Sequence, residues 1–275
     1  MRRLGRSAAC ALLLAFLAAI LSAAAPRPLP QTDVVAQLKA RWQDKNFYLR
    51  GFPASDHYQT DDRGLPLKPL ASESWTEAGI HVTGVHRKGS TLRVDGDRVF
   101  FVYDLAHKRW RARLVPDGER VQIDVSPIPA DLDALQSGLF LTGNTELYAN
   151  VPEEWKPVLS GASHDEILAA FTAGAGVAPV PKDPSKRIAP KSLYAPDPDF
   201  TGIAHKSELQ GNLSIAILIG ADGAVKREVI TQPLGAGLDD AAVAAIRTWR
   251  FSPVLGKDGS PQPCAAEVQF SFSQY

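Results

Sequence analysis

Apolar and polar positions alternate with a period of two through residues 80–126, the signature of half-buried β-strands. The alternation predicts strands at 80–85, 91–94, 98–103, 109–115 and 120–126. Turns separate them at Arg87-Lys88-Gly89, Asp95-Gly96, Ala106-His107 and Pro116-Asp117-Gly118. Folding the chain about 105–108 sets Tyr103 opposite Trp110, Phe101 opposite Ala112 and Val99 opposite Leu114. Folding it about 116–119 sets Leu114 opposite Val121, Ala112 opposite Ile123 and Trp110 opposite Val125. All six pairs are apolar and share one face, so a mainly antiparallel β-meander is predicted.

Around this meander the period lengthens. Val35, Leu38 and Trp42 share one face of a short helix, 47–52 reads as a strand, 53–78 is irregular, and the stretch after Pro127 and Pro129 through Trp155 reads as helical and irregular. Ser163 with Glu166 three residues on forms a capping box for a helix carrying Ile167, Leu168 and Phe171. Residues 26–173 are thus read as a β-rich domain with flanking helices. Residues 174–197 hold Pro179, Pro181, Pro184, Pro190 and Pro196, a composition that makes an extended, stiff linker. In 198–275 the pattern is strand 213–219, turn Ala221-Asp222-Gly223, strand 225–231, helix 238–249 and strand 265–273. That order is β-β-α-β, with one helix on a three-stranded antiparallel sheet, and the fold class of the chain is α+β. The linker predicts two regions that fold independently.

Composition excludes several functions. Of the 275 residues, 45% are hydrophobic and 22% charged, and the formal net charge is +0, so no global basic field recruits nucleic acid. Two cysteines cannot build a disulfide scaffold or a multi-cysteine zinc site. Cys264 alternates with polar positions on an apolar strand face and reads as a small hydrophobe. Arg109, Arg111 and Arg113 form a stripe that suits either an anionic glycan, lipid or nucleic acid, or a solvated face in which Arg111 meets Asp124. The histidines are scattered, and there is no Gly-rich phosphate loop, nucleophile elbow or HExxH pattern. The chain is therefore read as not an enzyme, with no cofactor and no metal.

Arg2, Arg3 and Arg6, an apolar run over 8–20 and small residues at Ala23 and Ala25 make residues 1–25 a signal peptide. The same residues 8–25 also suit an uncleaved N-terminal tether to the inner membrane, at the lower limit of spanning length. Either way the rest of the chain is expected in the periplasm.

The C-terminal motifs are more specific. In order they are Pro198-Asp199-Phe200, Ala204-His205-Lys206, Leu209-Gln210-Gly211 and Ala221-Asp222-Gly223-Ala224-Val225. They continue as Gly237-Leu238-Asp239, Ala241-Ala242, Trp249-Arg250-Phe251-Ser252-Pro253 and Asp258-Gly259-Ser260-Pro261. This ordered set resembles the C-terminal domain of the TonB family of energy transducers. The resemblance implies a domain that captures a short peptide of an outer-membrane transporter by strand addition and passes on force from a proton-driven inner-membrane motor. It further implies that the last strand supplies the peptide-binding edge, here Glu267, Val268, Gln269 and Phe270. The chain departs from the family in two ways. Residues 8–25 contain no His, Asp or Glu for motor coupling, and the Pro-rich spacer is short and preceded by a β-rich region. A periplasmic envelope scaffold that uses the domain for other protein contacts, without energy coupling, is the alternative reading.

Overall fold

The computed structural model describes residues 31–175, 177, 190–256 and 258–273. The expected signal segment, and residues 176 and 178–189 of the expected linker, lie outside the described residues. The chain is a mixed α+β protein. It opens with α1 (Gln31–Trp42), β1 (Asn46–Leu49), β2 (His57–Thr60), β3 (Gly79–Lys88), β4 (Thr91–Asp104), β5 (Arg109–Leu114) and β6 (Arg120–Val125). There follow α2 (Leu132–Leu139), β7 (Phe140–Leu141), α3 (Asn144–Asn150), a 3-10 turn (Glu153–Trp155), α4 (Lys156–Leu159) and α5 (His164–Ala175). The seven strands form one sheet, ordered β2-β6-β4-β3-β1-β7, with β5 paired to β4. Leu38 and Trp42 of α1 are fully buried in a cluster with Ile80, Val94 and Ile123 of the sheet.

The sheet corrects the predicted meander at two points. The two strands expected on either side of Asp95-Gly96 are the single strand β4, with Gly96 paired to Val82. Gly96 is there for close approach and not for a turn: a Cβ at this position would lie 2.4 Å from Ile80 Cγ1 and 2.5 Å from the His81 carbonyl oxygen. Because β4 is long, it takes a partner on each half. Its second half pairs with β5 in the predicted register, Tyr103 with Trp110, Phe101 with Ala112 and Val99 with Leu114. Its first half pairs with β6, Leu92 with Val125 and Val94 with Ile123, so the predicted β5–β6 hairpin does not form. Apolar alternation fixed which face each residue occupies but not which strand lies alongside. Residues 53–78 also hold β2, whose parallel pairing with β6 leaves no local pattern.

The C-terminal region contains β8 (Ser192–Tyr194), α6 (Gly202–Lys206), β9 (Gly211–Ile219), β10 (Val225–Gln232), α7 (Leu238–Thr248), β11 (Arg250–Phe251), β12 (Val254–Leu255), β13 (Pro261–Gln262) and β14 (Cys264–Phe272). Strands β10, β9 and β14 form an antiparallel sheet in that order. Leu213, Ile215, Ile217 and Ile219 of β9 face the cluster that holds Leu238, Ala242 and Ile246 of α7. Trp249 closes the end of this layer. Its ring centroid lies 6.0 Å from Phe251 and 5.6 Å from Phe270, and its indole N–H donates to the Pro196 carbonyl at 3.0 Å.

The two regions meet through apolar surface. Trp75, Phe101 and Trp155 share one apolar cluster with Leu213, Ile217, Ile246 and Trp249. On the other face of the C-terminal sheet, Ile167 and Phe171 of α5 pack with Ala216 and Val229. A proline-rich composition reports chain stiffness between two regions and carries no information about whether their surfaces meet. Trp249→Ala is expected to destabilise the protein by about 3–5 kcal/mol, the range for large aromatic truncations in a core. Because the core is shared, chemical denaturation followed by tryptophan fluorescence and by circular dichroism should give one coincident transition, shifted in the variant. An unchanged melting curve would contradict the burial of Trp249.

Candidate functional site

The four residues expected to offer a peptide edge lie in the middle of β14, opposite Ala216, Ile215, Ser214 and Leu213 of β9 in that order. Strand geometry sends alternate side chains to opposite faces. Val268 and Phe270 join the layer that contains α7, and Phe270 is buried against Trp249. Glu267 and Gln269 face the other way. Gln269 is exposed, whereas the Glu267 carboxylate accepts from Thr231 Oγ1 at 2.9 Å and meets His164 Nε2 at 2.6 Å. The four residues therefore have different parts: two pack the core, one ties the strand to α5, and one meets solvent. What they share is backbone. Among the described residues β14 pairs only with β9, so no strand takes its outer side.

The rest of the small sheet is better covered. The 3-10 turn Glu153–Trp155 and α4 lie against β10, where Val229, Ile230 and Thr231 are buried. Arg247 of α7 bonds Glu154 of that turn at 2.9 Å and Glu228 of β10 at 2.7 Å. Arg227 lies over the Phe171 ring at 4.4 Å, clamping α5 on the back of the sheet. His164 and Thr231 as anchors of Glu267 were not legible in the sequence. The capping box placed His164 in the first turn of α5, and it does sit there, with Ser163 donating from its N–H and its hydroxyl to Glu166 at 2.8 and 2.6 Å. Its partner is 103 residues away.

The joint between the regions is a loop, residues 233–237. Phe101, Val102 and Tyr103 of β4 extend past the end of β3, and the loop takes their open edge. The Tyr103 N–H donates to the Leu234 carbonyl at 2.9 Å, and the Ala236 N–H donates to the Phe101 carbonyl at 3.0 Å. Gly235, Ala236 and Gly237 all have positive φ, and a Cβ on Gly235 would sit 2.2 Å from the Phe101 carbonyl oxygen. Asp239 is fully buried and accepts the Leu234 and Gly235 N–H groups at 2.9 and 2.6 Å. The sequence reading explained Asp239 and Asp240 by the helix start alone. Two glycines one residue apart, Gly235 and Gly237, favour a turning backbone whose N–H groups need a nearby acceptor, and that pattern is the signal the sequence carries. Asp240 accepts the Trp155 indole N–H at 2.7 Å.

Burial pushes the carboxyls at this joint up: Asp239 to about 7, Glu77 to about 8, and Asp240 in the same direction. Glu73, further along the same loop as Glu77, is raised to about 7 by burial, against the pull of Arg98. Each folded value lies above the ordinary 3.8 or 4.5, so the neutral form is the one the fold favours. The stability these groups carry is full below the ordinary values and is lost as pH rises through about 7 to 8. Melting temperature should therefore fall between pH 5.5 and 8.5, and Glu77→Gln should flatten that fall. Parallel curves for the two proteins would show that Glu77 does not titrate in the joint.

Residues 196–273 match the family model described as Gram-negative bacterial TonB protein C-terminal. Among solved structures, the solution NMR structure of the Pseudomonas aeruginosa TonB C-terminal domain is similar at 21% identity. The match covers 30% of this chain and 85% of that one, with a TM-score of 0.28. No curated protein matches the chain. The C-terminal region, residues 196–273, is thus similar to the C-terminal domain of Gram-negative bacterial TonB proteins, as its ordered motifs indicated.

Proposed function

We propose that this protein acts in the periplasm as a protein-binding component that captures an extended peptide of an outer-membrane transporter on the outer edge of β14. One observation carries the reading: β14 offers an unpaired backbone edge on a sheet packed by α7 and α5, whose other edge strand, β10, lies against the 153–159 segment. Unpaired N–H and C=O groups make such an edge a template for one more strand, with main-chain bonds giving affinity and side chains tuning it. Glu267, Val268, Gln269 and Phe270 are the centre of that template. Glu267 is held from behind by α5, so the strand is fixed before the peptide arrives and little ordering entropy is lost on binding. The role is binding and not catalysis, and it needs no cofactor or metal.

Two routes to the cell envelope are compatible with residues 1–25. An uncleaved segment tethers the protein to the inner membrane and permits coupling to a proton-driven motor. Cleavage after Ala25 releases a periplasmic adaptor or scaffold. The second is favoured by one observation, the absence of His, Asp and Glu from residues 8–25. Among the described residues no helix is long and apolar enough to cross a membrane. Sequencing the N-terminus of the exported protein separates the routes, since a start at Pro26 means that residues 1–25 were removed.

Successive residues of an antiparallel strand direct their backbone bonds to opposite sides. Of Val268→Pro and Gln269→Pro, one therefore removes a donor from the outer edge and spares the β9 ladder. That variant should stay folded by circular dichroism and lose at least about tenfold in affinity for a short peptide from near the N-terminus of an outer-membrane transporter. Gln269→Ala should bind within about twofold of the parent, because it keeps the backbone. Equal affinity for folded proline and alanine variants would sink the edge-strand reading.

A further inference from the structure

The arginine stripe on β5 resolves into three different environments. Arg111 is paired with Asp104, and Arg113 lies over the Phe100 ring at 5.6 Å. Arg109 instead borders a cleft of about 810 Å³ between the end of the β4–β5 hairpin, the 158–165 segment and the end of β10. Lys108, which turns the hairpin with a φ of 48°, borders it too. Among the described residues neither Lys108 nor Arg109 forms an ion pair. The cleft is of the size that holds small organic ligands.

One wall is aromatic. Tyr48, Tyr103 and Trp110 line it, each half-buried. Trp110 is held from behind by Trp75 at 4.7 Å and Trp155 at 5.9 Å, and Tyr103 packs against it at 5.2 Å. Rings fixed in this way form a platform that is ordered before a ligand arrives. The opposite wall is polar and mixes donors with acceptors: Asn144, Asp165 and Gln232 line it, with the Gln232 amide nitrogen already bonded to the Asn212 carbonyl at 3.1 Å. A bare phosphate would ask for donors alone and would be opposed by Asp165. A sugar ring fits both walls. Its C–H face stacks on an aromatic ring, and its hydroxyls donate and accept together. The two cations at the mouth add a place for one acidic group.

We propose that this cleft is a binding site for an acidic oligosaccharide, its ring seated on Tyr103 and Trp110 and its carboxylate held by Arg109 and Lys108. The site is separate from the β14 edge and does not depend on it.

The test uses the full exported chain and tryptophan fluorescence titration. The probes are trigalacturonate, a hyaluronan tetrasaccharide and an N-acetylglucosaminyl–N-acetylmuramic acid disaccharide, with fully methyl-esterified trigalacturonate and chitotriose as neutral controls. Binding of at least one acidic probe with Kd below ~1 mM, and of both neutral controls at least about tenfold more weakly, is expected. Arg109→Ala, an exposed position whose change leaves the melting curve in place, should weaken the acidic probe about tenfold, as for loss of a charge-assisted hydrogen bond. Arg111→Ala should leave binding unchanged, because Arg111 is committed to Asp104. The proposal is overturned if no acidic probe binds below ~1 mM, if the neutral controls bind as well, or if the two arginine variants behave alike.

Discussion

The structure depends on how five residues, 233–237, are held. Their backbone runs along the open end of β4, exchanges hydrogen bonds with Phe101 and Tyr103, and passes three positions of positive φ. Such a path leaves N–H groups pointing inward, and Asp239 accepts two of them from a fully buried position. A buried carboxyl group is tolerated there because it has partners and because burial favours its neutral form. Once the loop is seated, α7 follows with Asp240 on Trp155, and the small sheet is fixed against the large one.

From that joint the rest follows in order. Docking brings the 3-10 turn and α4 against β10 and lays α5 across the back of the sheet. The small sheet has two edge strands, and of these β10 is the one packed by the 3-10 turn and α4, while β14 pairs with β9 alone among the described residues. The N-terminal region thereby acts on the C-terminal one, and reaches β14 through the bond of His164 to Glu267. It also creates the aromatic cleft, since Trp110 and Tyr103 come from β4 and β5 while Gln232 comes from β10.

How much of this was legible in the sequence depended on the range of each interaction. Alternation placed the core face of each strand, and the residues of the C-terminal motif order led to the family. The capping box at Ser163 and the register of β4 with β5 were also readable, because both are set within a dozen residues or so. What escaped was long-range or backbone-driven. The Asp95-Gly96 pair has the chemistry of a turn, yet Gly96 serves the close approach of β3 to β4. The β5–β6 hairpin satisfied the apolar pattern equally well and lost to the pairing of β6 with the first half of β4. The His164–Glu267 contact and the shared core span separations on which local patterns are silent. The Gly235-Ala236-Gly237 pattern before Asp239 was the one missed feature with a local signal.

The central claim is that β14, and not β10, is the strand open to a partner. Amide hydrogen exchange, read residue by residue by NMR with and without a transporter peptide, tests it most directly. The account predicts that alternate amides of Cys264–Phe272 exchange freely in the protein alone and become protected on binding, while those of Val225–Gln232 keep their rates. Protection gained along β10, or none along β14 under conditions where the peptide binds, would contradict it.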